Sequence, residues 1–302
     1  MRIILMGEQA FAAAVLEKLV EAGEQVVAAY TPPDRRGEPV RQAASKAGIP
    51  VFRTSRMRDS QVVIDYVALE ADLGVMAFVT DIVPLSIMRS PRFGTIEYHP
   101  SLLPKHRGGS AINWAIIQGD TKTGLTIFWP DEGIDTGPIL LQKEVSISPE
   151  DTAASIYFNK LFPLGVEALA EAVDLVKQGI APRIPQDESQ ATHEGLCTER
   201  EAIIDWVLPA PKVYNLIRGC NPRPGATAYF RQKPVKIFDS ELLPALADST
   251  PGQVVQIDEL GFDVAATGGA IRIKRVQYEP TAKITATEFV QLLGLKSGDQ
   301  FD

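Results

Sequence analysis

Residues 1–30 read MRIILMGEQAFAAAVLEKLVEAGEQVVAAY, and this stretch decides the fold class. Two short apolar runs rich in branched side chains, residues 2–6 and 25–30, lie on either side of residues 10–19. In residues 10–19 the apolar side chains recur with helical spacing. A strand, a helix and a second strand in this order form a βαβ unit, whose two strands lie parallel in one sheet. The chain is therefore predicted to begin a doubly wound, mainly parallel α/β sheet.

The same alternation continues to about residue 178, and it predicts an α/β domain over residues 1–185. The turn after the first strand reads GEQAFA at residues 7–12. It lacks the second and third glycines of a dinucleotide-binding fingerprint, so NAD is not expected as a cofactor. The remaining predicted strands cover residues 73–79, 94–98, 125–129 and 139–145, and the remaining predicted helices cover residues 110–118 and 151–178.

The composition changes after about residue 179. Residues 186–205 are predicted to be a linker, because they are mostly polar and lack a regular apolar period. Beyond them, short β runs separated by turn residues predict a small OB-like β-barrel domain over residues 206–302. The predicted strands cover residues 227–230, 235–238, 252–256, 262–266 and 270–278, and a closing helix is predicted at residues 285–293.

Composition restricts the class of protein. A chain of 302 residues and 32.9 kDa exceeds the usual size of a single core, which favours two domains. A net charge of −8 argues against a nucleic-acid partner held by counterion release. The apolar start is too short for a secretion signal, and no stretch is long enough to cross a membrane, so a cytoplasmic location is expected. Cys197 and Cys220 are compatible with a reducing compartment. No pattern indicates an oligomeric state.

Two segments carry candidate chemistry. They read YHPSLLPKHRGG at residues 98–109 and DEGIDTG at residues 131–137, and each joins a predicted strand end to a loop rich in glycine or proline. Parallel sheets present ligand-binding side chains at such strand ends. His99 in the first segment and Asp135 in the second are 36 positions apart. A histidine and a carboxylate together can move protons at an acyl centre.

These segments resemble the motifs of the folate-dependent formyltransferases and hydrolases. A third segment, IRGCNPRPGA at residues 217–226, is similar to the opening of the barrel domain in that family, so the resemblance extends from residue 1 to about 293. It implies that His99 and Asp135 are catalytic. It also implies that 10-formyltetrahydrofolate is the formyl donor and that reduced folate is the partner. Neither a tightly bound cofactor nor a metal is expected.

The resemblance further implies a set of folate contacts. The loop after His99 would line the folate site, and the loop after the fourth strand would contact the pterin mainly through its backbone. For Arg107, two roles are open, a buried anchor of the loop or a contact to an anion of the folate. Met76 and Phe78 are interpreted as core residues and His106 as part of a solvated basic loop. The proposed folate contacts are Asp81, Ile82, Val83, Ser101, Leu102, Leu103, Pro104 and Arg107.

Glu97 departs from the family pattern. In the transformylases the residue two before the histidine is an asparagine that donates to the oxyanion. The alternation of a strand puts Glu97 and His99 on one face, where an ionised carboxylate would repel an oxyanion. Glu97, the third candidate catalytic residue, is therefore protonated, turned away, or a base towards water. The hydrolase domain of 10-formyltetrahydrofolate dehydrogenase also lacks the asparagine, and the chain resembles it at residues 110–114, 128–129 and 161–163.

Three acceptors of the formyl group are open: water, an amine on a small molecule such as an amino sugar nucleotide, and the amine of methionyl-tRNA. The tRNA is disfavoured because PDRRGEP at residues 33–39 lacks a basic run after it. Residues 206–302 also hold eleven Lys and Arg against ten Asp and Glu, a net charge of only about +1. The prediction is hydrolysis of 10-formyltetrahydrofolate to tetrahydrofolate and formate. A folate-binding protein without catalysis is the alternative of a different class.

Overall fold

The computed structural model of the chain describes residues 1–244, 249–279 and 282–302. The elements up to residue 194 are, in chain order, β1 (Arg2–Gly7), α1 (Gln9–Glu21), β2 (Gln25–Thr31), α2 (Glu38–Lys46), β3 (Val51–Arg53), α3 (Ser60–Ala68), β4 (Leu73–Ala77), α4 (Leu85–Met88), β5 (Thr95–His99), β6 (Arg107–Gly108), α5 (Ala111–Ile117), β7 (Lys122–Phe128), β8 (Ile139–Ser146), α6 (Ala153–Ile156), α7 (Phe162–Lys177) and β9 (His193–Glu194). The later elements are α8 (Ala210–Gly219), β10 (Ala226–Phe230), β11 (Lys233–Pro244), β12 (Val254–Asp258), β13 (Gly261–Ala266), β14 (Gly269–Tyr278), β15 (Lys283–Thr285) and α9 (Ala286–Leu293).

The chain forms two compact units, and each consists of three segments. Unit 1 contains Met1–Gly108, Gly124–Val145 and Phe158–His193. Unit 2 contains Gly109–Thr123, Ser146–Tyr157 and Glu194–Asp302. The division into residues 1–185, 186–205 and 206–302 stays a prediction.

Unit 1 is built on a seven-stranded sheet with the order β3-β2-β1-β4-β5-β7-β8. The pairs from β3 through β5 are parallel, and β7 runs antiparallel to β5. Four consecutive side chains of β1, Ile3 to Met6, are at most 1% exposed. A strand buried on both faces requires cover on both sides of the sheet. The predicted mainly parallel α/β fold is thus confirmed.

Helix α7 covers one face of β5. Gly165 of α7 approaches so closely that a Cβ atom built on it would lie 2.7 Å from Cε2 of Tyr98 and 3.0 Å from the ring of Phe11. The rings of Phe11 and Tyr98 are themselves in contact, with centroids 4.5 Å apart. Since side chains alternate along a strand, Glu97 and His99 point to the face opposite Tyr98. This packing fixes the strand that carries two of the three candidate catalytic residues.

Unit 2 contains a six-stranded antiparallel sheet with the order β10-β11-β14-β13-β12, and β15 pairs with β14. The last residues of the chain join its two edges, because Tyr229 and Asp302 exchange two backbone hydrogen bonds while Phe301 donates to the carbonyl of Gly252. Phe262, Phe289 and Phe301 pack face to face inside. The prediction of a strand-rich C-terminal domain closed like a barrel is confirmed.

Helices α5 and α8 pack together within unit 2. The side-chain amide of Asn113 donates to the carbonyl of Gly219 at 2.7 Å and to that of Arg223 at 3.1 Å. Gly219 lacks a Cβ, and one built there would lie 2.6 Å from Cγ1 of Ile117. The thiols of Cys197 and Cys220 also meet in this unit, with their sulfur atoms 3.8 Å apart.

One helix and one strand of unit 1 differ from their predicted form in an informative way. The helix predicted over residues 151–178 is interrupted by a π-helical turn at Tyr157–Leu161, and α7 begins with Pro163 in its first turn, where a missing N–H costs no bond. The strand predicted at residues 73–79 ends at Ala77, because Phe78 takes a positive φ of 60°. Across the part of the chain that the structure describes, every helix is too short or too polar to cross a bilayer.

Candidate active site

His99 is the last residue of β5 and is 6% exposed. Its Nε2 lies 2.7 Å from the carbonyl oxygen of His106. Because a carbonyl only accepts, Nε2 carries the proton and donates this bond. In the neutral imidazole the other nitrogen, Nδ1, therefore holds a lone pair. The loop after β5 thus fixes both the orientation of the ring and its tautomer.

Asp135 lies on the Nδ1 side of that ring. Its Oδ2 lies 3.5 Å from Nδ1 of His99 and accepts the backbone N–H of Gly108 at 2.7 Å. The backbone of Asp135 has a positive φ of 57°, and its carbonyl accepts from Nε2 of Gln186 at 2.8 Å. The same amide of Gln186 donates to the carbonyl of Gly137 at 2.7 Å. The carboxylate is held by its neighbours and can stabilise a protonated imidazole.

Glu97 is partly buried on the face of β5 that carries His99. Its register partners on the adjacent strands are Met76 of β4 and Phe128 of β7, which are 4% and 1% exposed. Desolvation in this position, and secondarily the negative charge of Asp135, raise the pKa of Glu97 to about 8. The structure brings all three predicted catalytic residues into unit 1, two on one strand and the third on the loop after β7.

The loop after His99 is held by hydrogen bonds to its own backbone and to β7. The hydroxyl of Ser101 donates to the carbonyl of Lys105 at 2.6 Å, and the N–H of Leu103 donates to Oγ1 of Thr126 at 3.1 Å. Ser101 and Leu103 are 0% and 3% exposed, whereas Leu102 and Pro104 are partly exposed. Of these four predicted folate contacts, Leu102 and Pro104 thus offer side-chain surface to a ligand.

The loop after β4 lines a cavity of about 210 Å³ at the carboxyl ends of β1 to β4. Asp81 lines this cavity and accepts the N–H of Met57 at 2.6 Å. Ile82 is 71% exposed, whereas Val83 is 5% exposed and packs in the core. The interpretation of Phe78 as a core residue is wrong, because its ring is 38% exposed and lines the cavity. Met76 is a core residue, as predicted.

The cavity also contains two residues that the sequence did not single out. Glu8 follows β1 and is 1% exposed, and Nη1 of Arg36 lies 3.3 Å from its Oε2. Burial raises the pKa of Glu8, and the charge of Arg36 opposes that rise. A carboxylate directly after the first strand was the available signal for a polar cavity here.

Arg107 is 5% exposed, and the contacts of its guanidinium are internal. Nη1 and Nη2 donate to the two carboxylate oxygens of Glu188 at 2.9 and 2.7 Å, while Nε and Nη2 donate to Oε1 of Gln186. These contacts correspond to the role of a loop anchor, and the contact to a folate anion stays a prediction. The interpretation of His106 as a solvated residue is wrong, because it is 4% exposed with a positive φ of 56°.

Two parts of the chain match the two domains of one known protein family. Residues 1–173 match the family described as formyl transferase, and residues 197–293 match the formyl transferase C-terminal domain. The chain is 37% identical over 298 residues to the methionyl-tRNA formyltransferase of Geotalea uraniireducens (strain Rf4), covering 96% of this chain and 94% of that protein. The chain belongs to the formyl transferase family.

Other members of the family are longer. Mitochondrial 10-formyltetrahydrofolate dehydrogenase of Mus musculus is 39% identical over 306 residues, which cover 96% of this chain and 33% of that protein. The cytosolic 10-formyltetrahydrofolate dehydrogenase of Homo sapiens is 39% identical over 311 residues, which cover 96% and 34%. The formyl transferase chain thus spans about a third of the length of these dehydrogenases.

Solved structures share the fold. HypX from Aquifex aeolicus in complex with tetrahydrofolic acid superposes with a TM-score of 0.69 at 18% identity, over 96% of this chain and 47% of that chain. The N-formyltransferase of Helicobacter canadensis, in complex with folinic acid and dTDP-3-aminofucose, superposes with a TM-score of 0.67 at 18% identity, over 90% and 98%. The formyl transferase chain therefore shares its fold with about half of the HypX chain and with nearly all of the N-formyltransferase.

Proposed function

We propose that this formyl transferase chain releases the formyl group of 10-formyltetrahydrofolate to water, forming tetrahydrofolate and formate. The observation that carries the proposal is the pair of His99 Nδ1 and Asp135 Oδ2, 3.5 Å apart at the carboxyl end of β5. Such a pair can accept a proton from a nucleophile and return it to a leaving group. A cytoplasmic location belongs to the same proposal.

The proton moves through one nitrogen of His99. Because Nε2–H is bonded to the carbonyl of His106, Nδ1 takes the proton of water as its oxygen attacks the formyl carbon. Asp135 stabilises the imidazolium that results. The bond between the formyl carbon and N10 then breaks, and the proton on Nδ1 passes to N10. Formic acid loses its remaining acidic proton to solvent, so tetrahydrofolate and formate are formed and His99 is restored.

Folate would bind along the two loops described above. The exposed side chain of Ile82 and the partly exposed side chain of Leu102 would provide apolar contact, and Asp81 lines the cavity after β4. Ser101 and Leu103 would act through their backbone, since their side chains are buried, and so would Val83. Pro104 and Arg107 complete the proposed contacts.

Transfer to an amine is the second candidate. It is favoured by the similarity to a methionyl-tRNA formyltransferase along 94% of that protein. The small net charge of residues 206–302, eleven basic against ten acidic residues, does not favour a tRNA. The amine would then belong to a small molecule such as an amino sugar nucleotide.

The deciding experiment incubates the pure chain with 10-formyltetrahydrofolate and follows tetrahydrofolate and formate. Parallel reactions contain a nucleotide-linked amino sugar or methionyl-tRNA, and the variant His99→Ala is the control for enzyme-dependent release. Stoichiometric formate without an amine supports hydrolysis. Formate that is replaced by a formylated amine supports transfer. Folate binding without either product would identify a folate-binding protein that lacks catalysis.

A further inference from the structure

The site described above needs a hydrogen-bond donor that His99 does not supply. A formyl carbonyl attacked by water becomes an oxyanion, which requires a donor aimed at its oxygen. In neutral His99 the N–H is on Nε2 and bonds the carbonyl of His106, while Nδ1 faces Asp135. Nδ1 carries no proton in this tautomer, and a carboxylate only accepts, so neither group can donate a hydrogen bond to the oxyanion. Alternation puts Thr95 and Glu97 on this face of β5 together with His99. The hydroxyl of Thr95 already donates to the carbonyl of Met88 at 2.9 Å, which leaves the carboxyl group of Glu97 as the candidate donor on this strand.

We propose that Glu97 is a catalytic residue that acts as a neutral carboxylic acid and donates a hydrogen bond to the oxygen of the formyl group as the oxyanion forms. The inference rests on the proposed function and deepens it, because it assigns one group of residues to proton transfer and another residue to stabilisation of the oxyanion. His99 and Asp135 move the proton of the nucleophile. Glu97 stabilises the charge on the formyl oxygen.

The surroundings of Glu97 keep its proton in place. Met76 from β4 and Phe128 from β7 lie beside it in register, and neither carries a polar group. Among the described titratable groups, Asp135 from the loop after β7 acts on Glu97 through its charge, and His99 lies on the same face of their common strand. Desolvation and the like charge of Asp135 both disfavour the ionised form and raise the pKa of Glu97 to about 8. An acid kept neutral by an apolar site can donate to an oxyanion.

Glu97 keeps its proton through the reaction. Oxygen of water bonds to the formyl carbon, and the carbonyl π pair moves to the formyl oxygen, which accepts the hydrogen bond from Glu97. The electron pair on the formyl oxygen then re-forms the carbonyl double bond, and the bond from carbon to N10 breaks. N10 takes the proton that Nδ1 of His99 removed from water. Glu97 is neutral at the beginning and at the end.

Three variants test the role. In Glu97→Gln a neutral amide replaces the acid at similar size, and in Glu97→Ala the donor is absent. Glu132→Gln is the matched control, since it removes a carboxylate three residues before Asp135 that is 73% exposed and pairs with Arg89. Formate release is measured from pH 6 to 10, and folding is verified by circular dichroism.

If Glu97 donates a hydrogen bond to the oxyanion, the turnover of the three variants should differ in a defined way. At neutral pH, Glu97→Gln retains turnover within about tenfold of the wild type, whereas Glu97→Ala loses about 10²–10³. Wild-type turnover falls as pH rises through about 8, where the donor ionises. This fall persists in Glu132→Gln and is absent in Glu97→Gln.

Two results would overturn the proposal. A folded Glu97→Gln protein as inactive as Glu97→Ala would indicate a base, because an amide cannot accept a proton from water. An alkaline fall that is unchanged in Glu97→Gln would belong to another group. If the wild type forms neither formate nor a formylated amine, the proposed function fails instead. Carboxyl ¹³C titration then decides the state of Glu97, and titration near the ordinary value of 4.5 overturns its assignment as a neutral acid.

Discussion

At the scale of the residue, the two nitrogens of His99 have different environments. Nε2 bonds the carbonyl of His106, and Nδ1 lies 3.5 Å from Asp135. The Nε2 side of the imidazole thus fixes the orientation of the ring, and the Nδ1 side is available for proton transfer. Groups that handle the same proton act as a unit, and their removal has effects that do not add.

His99→Ala and Asp135→Asn are each expected to lower turnover by about 10²–10⁴, the usual contribution of a positioned acid or base. The double variant should be little worse than the poorer single variant, because either change already interrupts proton transfer. Formate release under saturating substrate measures the three rates. Losses that multiply in the double variant would show that the two residues act independently.

Glu97 should also affect stability as pH changes. Its pKa is about 8 in the folded chain against an ordinary value of 4.5, so the folded state holds the proton more tightly. The stabilisation is fully present below the unfolded value and is lost as pH rises from about 4.5 to about 8. Thermal unfolding should show the difference in Tm between Glu97→Gln and wild type rising in favour of the variant over that range. An unchanged difference would mean that the folded pKa is ordinary.

Local sequence could indicate part of this site. The periodicity of a strand puts Glu97 and His99 on one face, and both residues lie in β5. The contacts of Gln186 were not predicted, because they join residues 51 and 49 positions apart. The burial of His106 was missed because its neighbours Lys105 and Arg107 are charged, whereas long-range packing decides exposure.

At the scale of the element, β5 is positioned by the helix that covers its other face. Gly165 permits that approach, and substitution tests how tight it is. Alanine in place of glycine gains about 0.5–1 kcal/mol in a helix interior. A Cβ 2.7 Å from Tyr98 and 3.0 Å from Phe11 instead overpacks the interface, which typically costs about 1–3 kcal/mol.

We expect Gly165→Ala to destabilise the chain, because overpacking outweighs helix propensity. Denaturant unfolding measures the free-energy change. Gly195→Ala is the control, since a Cβ there meets no atom within 4 Å and the backbone is not in the left-handed region. Equal stability of the two variants would show that α7 can shift away from β5 without cost.

The elements themselves were predicted unevenly. Strands β1, β2 and β5 were found within one residue at each end. For β1 and β2 the reason is a continuous apolar run with a clear end. Strand β3 was missed, since three residues at the edge of a sheet give no period to detect. The interruption of the helix predicted over residues 151–178 was missed for the opposite reason, because the apolar pattern continues through Tyr157–Leu161.

At the scale of the whole molecule, unit 2 depends on segments that precede the last strands of unit 1. Helix α5 packs on α8 through Asn113, and Ile117 contacts the core of unit 2. A fragment of residues 1–193 would carry α5 without α8. The amide of Asn113 would lose both carbonyl acceptors, and apolar surface would face water.

The fragment 1–193 is therefore expected to aggregate or to unfold at a lower temperature than the full chain. Co-expression with residues 194–302 should restore a soluble complex, because it returns α8 to α5. Size-exclusion chromatography and thermal unfolding compare the two preparations. A monomeric fragment with the full-length Tm would show that α5 does not need its partner.

The three-segment construction of each unit limits how genes of this family can recombine. A crossover within residues 186–205 would join one parent's residues 109–123 and 146–157 to another parent's C-terminal part, although all three segments belong to unit 2. Functional chimeras should then arise mainly when the contacts of α5 and α8 are compatible in both parents. A crossover exchanges one continuous part of the gene, whereas each folded unit is assembled from three segments that alternate along the chain.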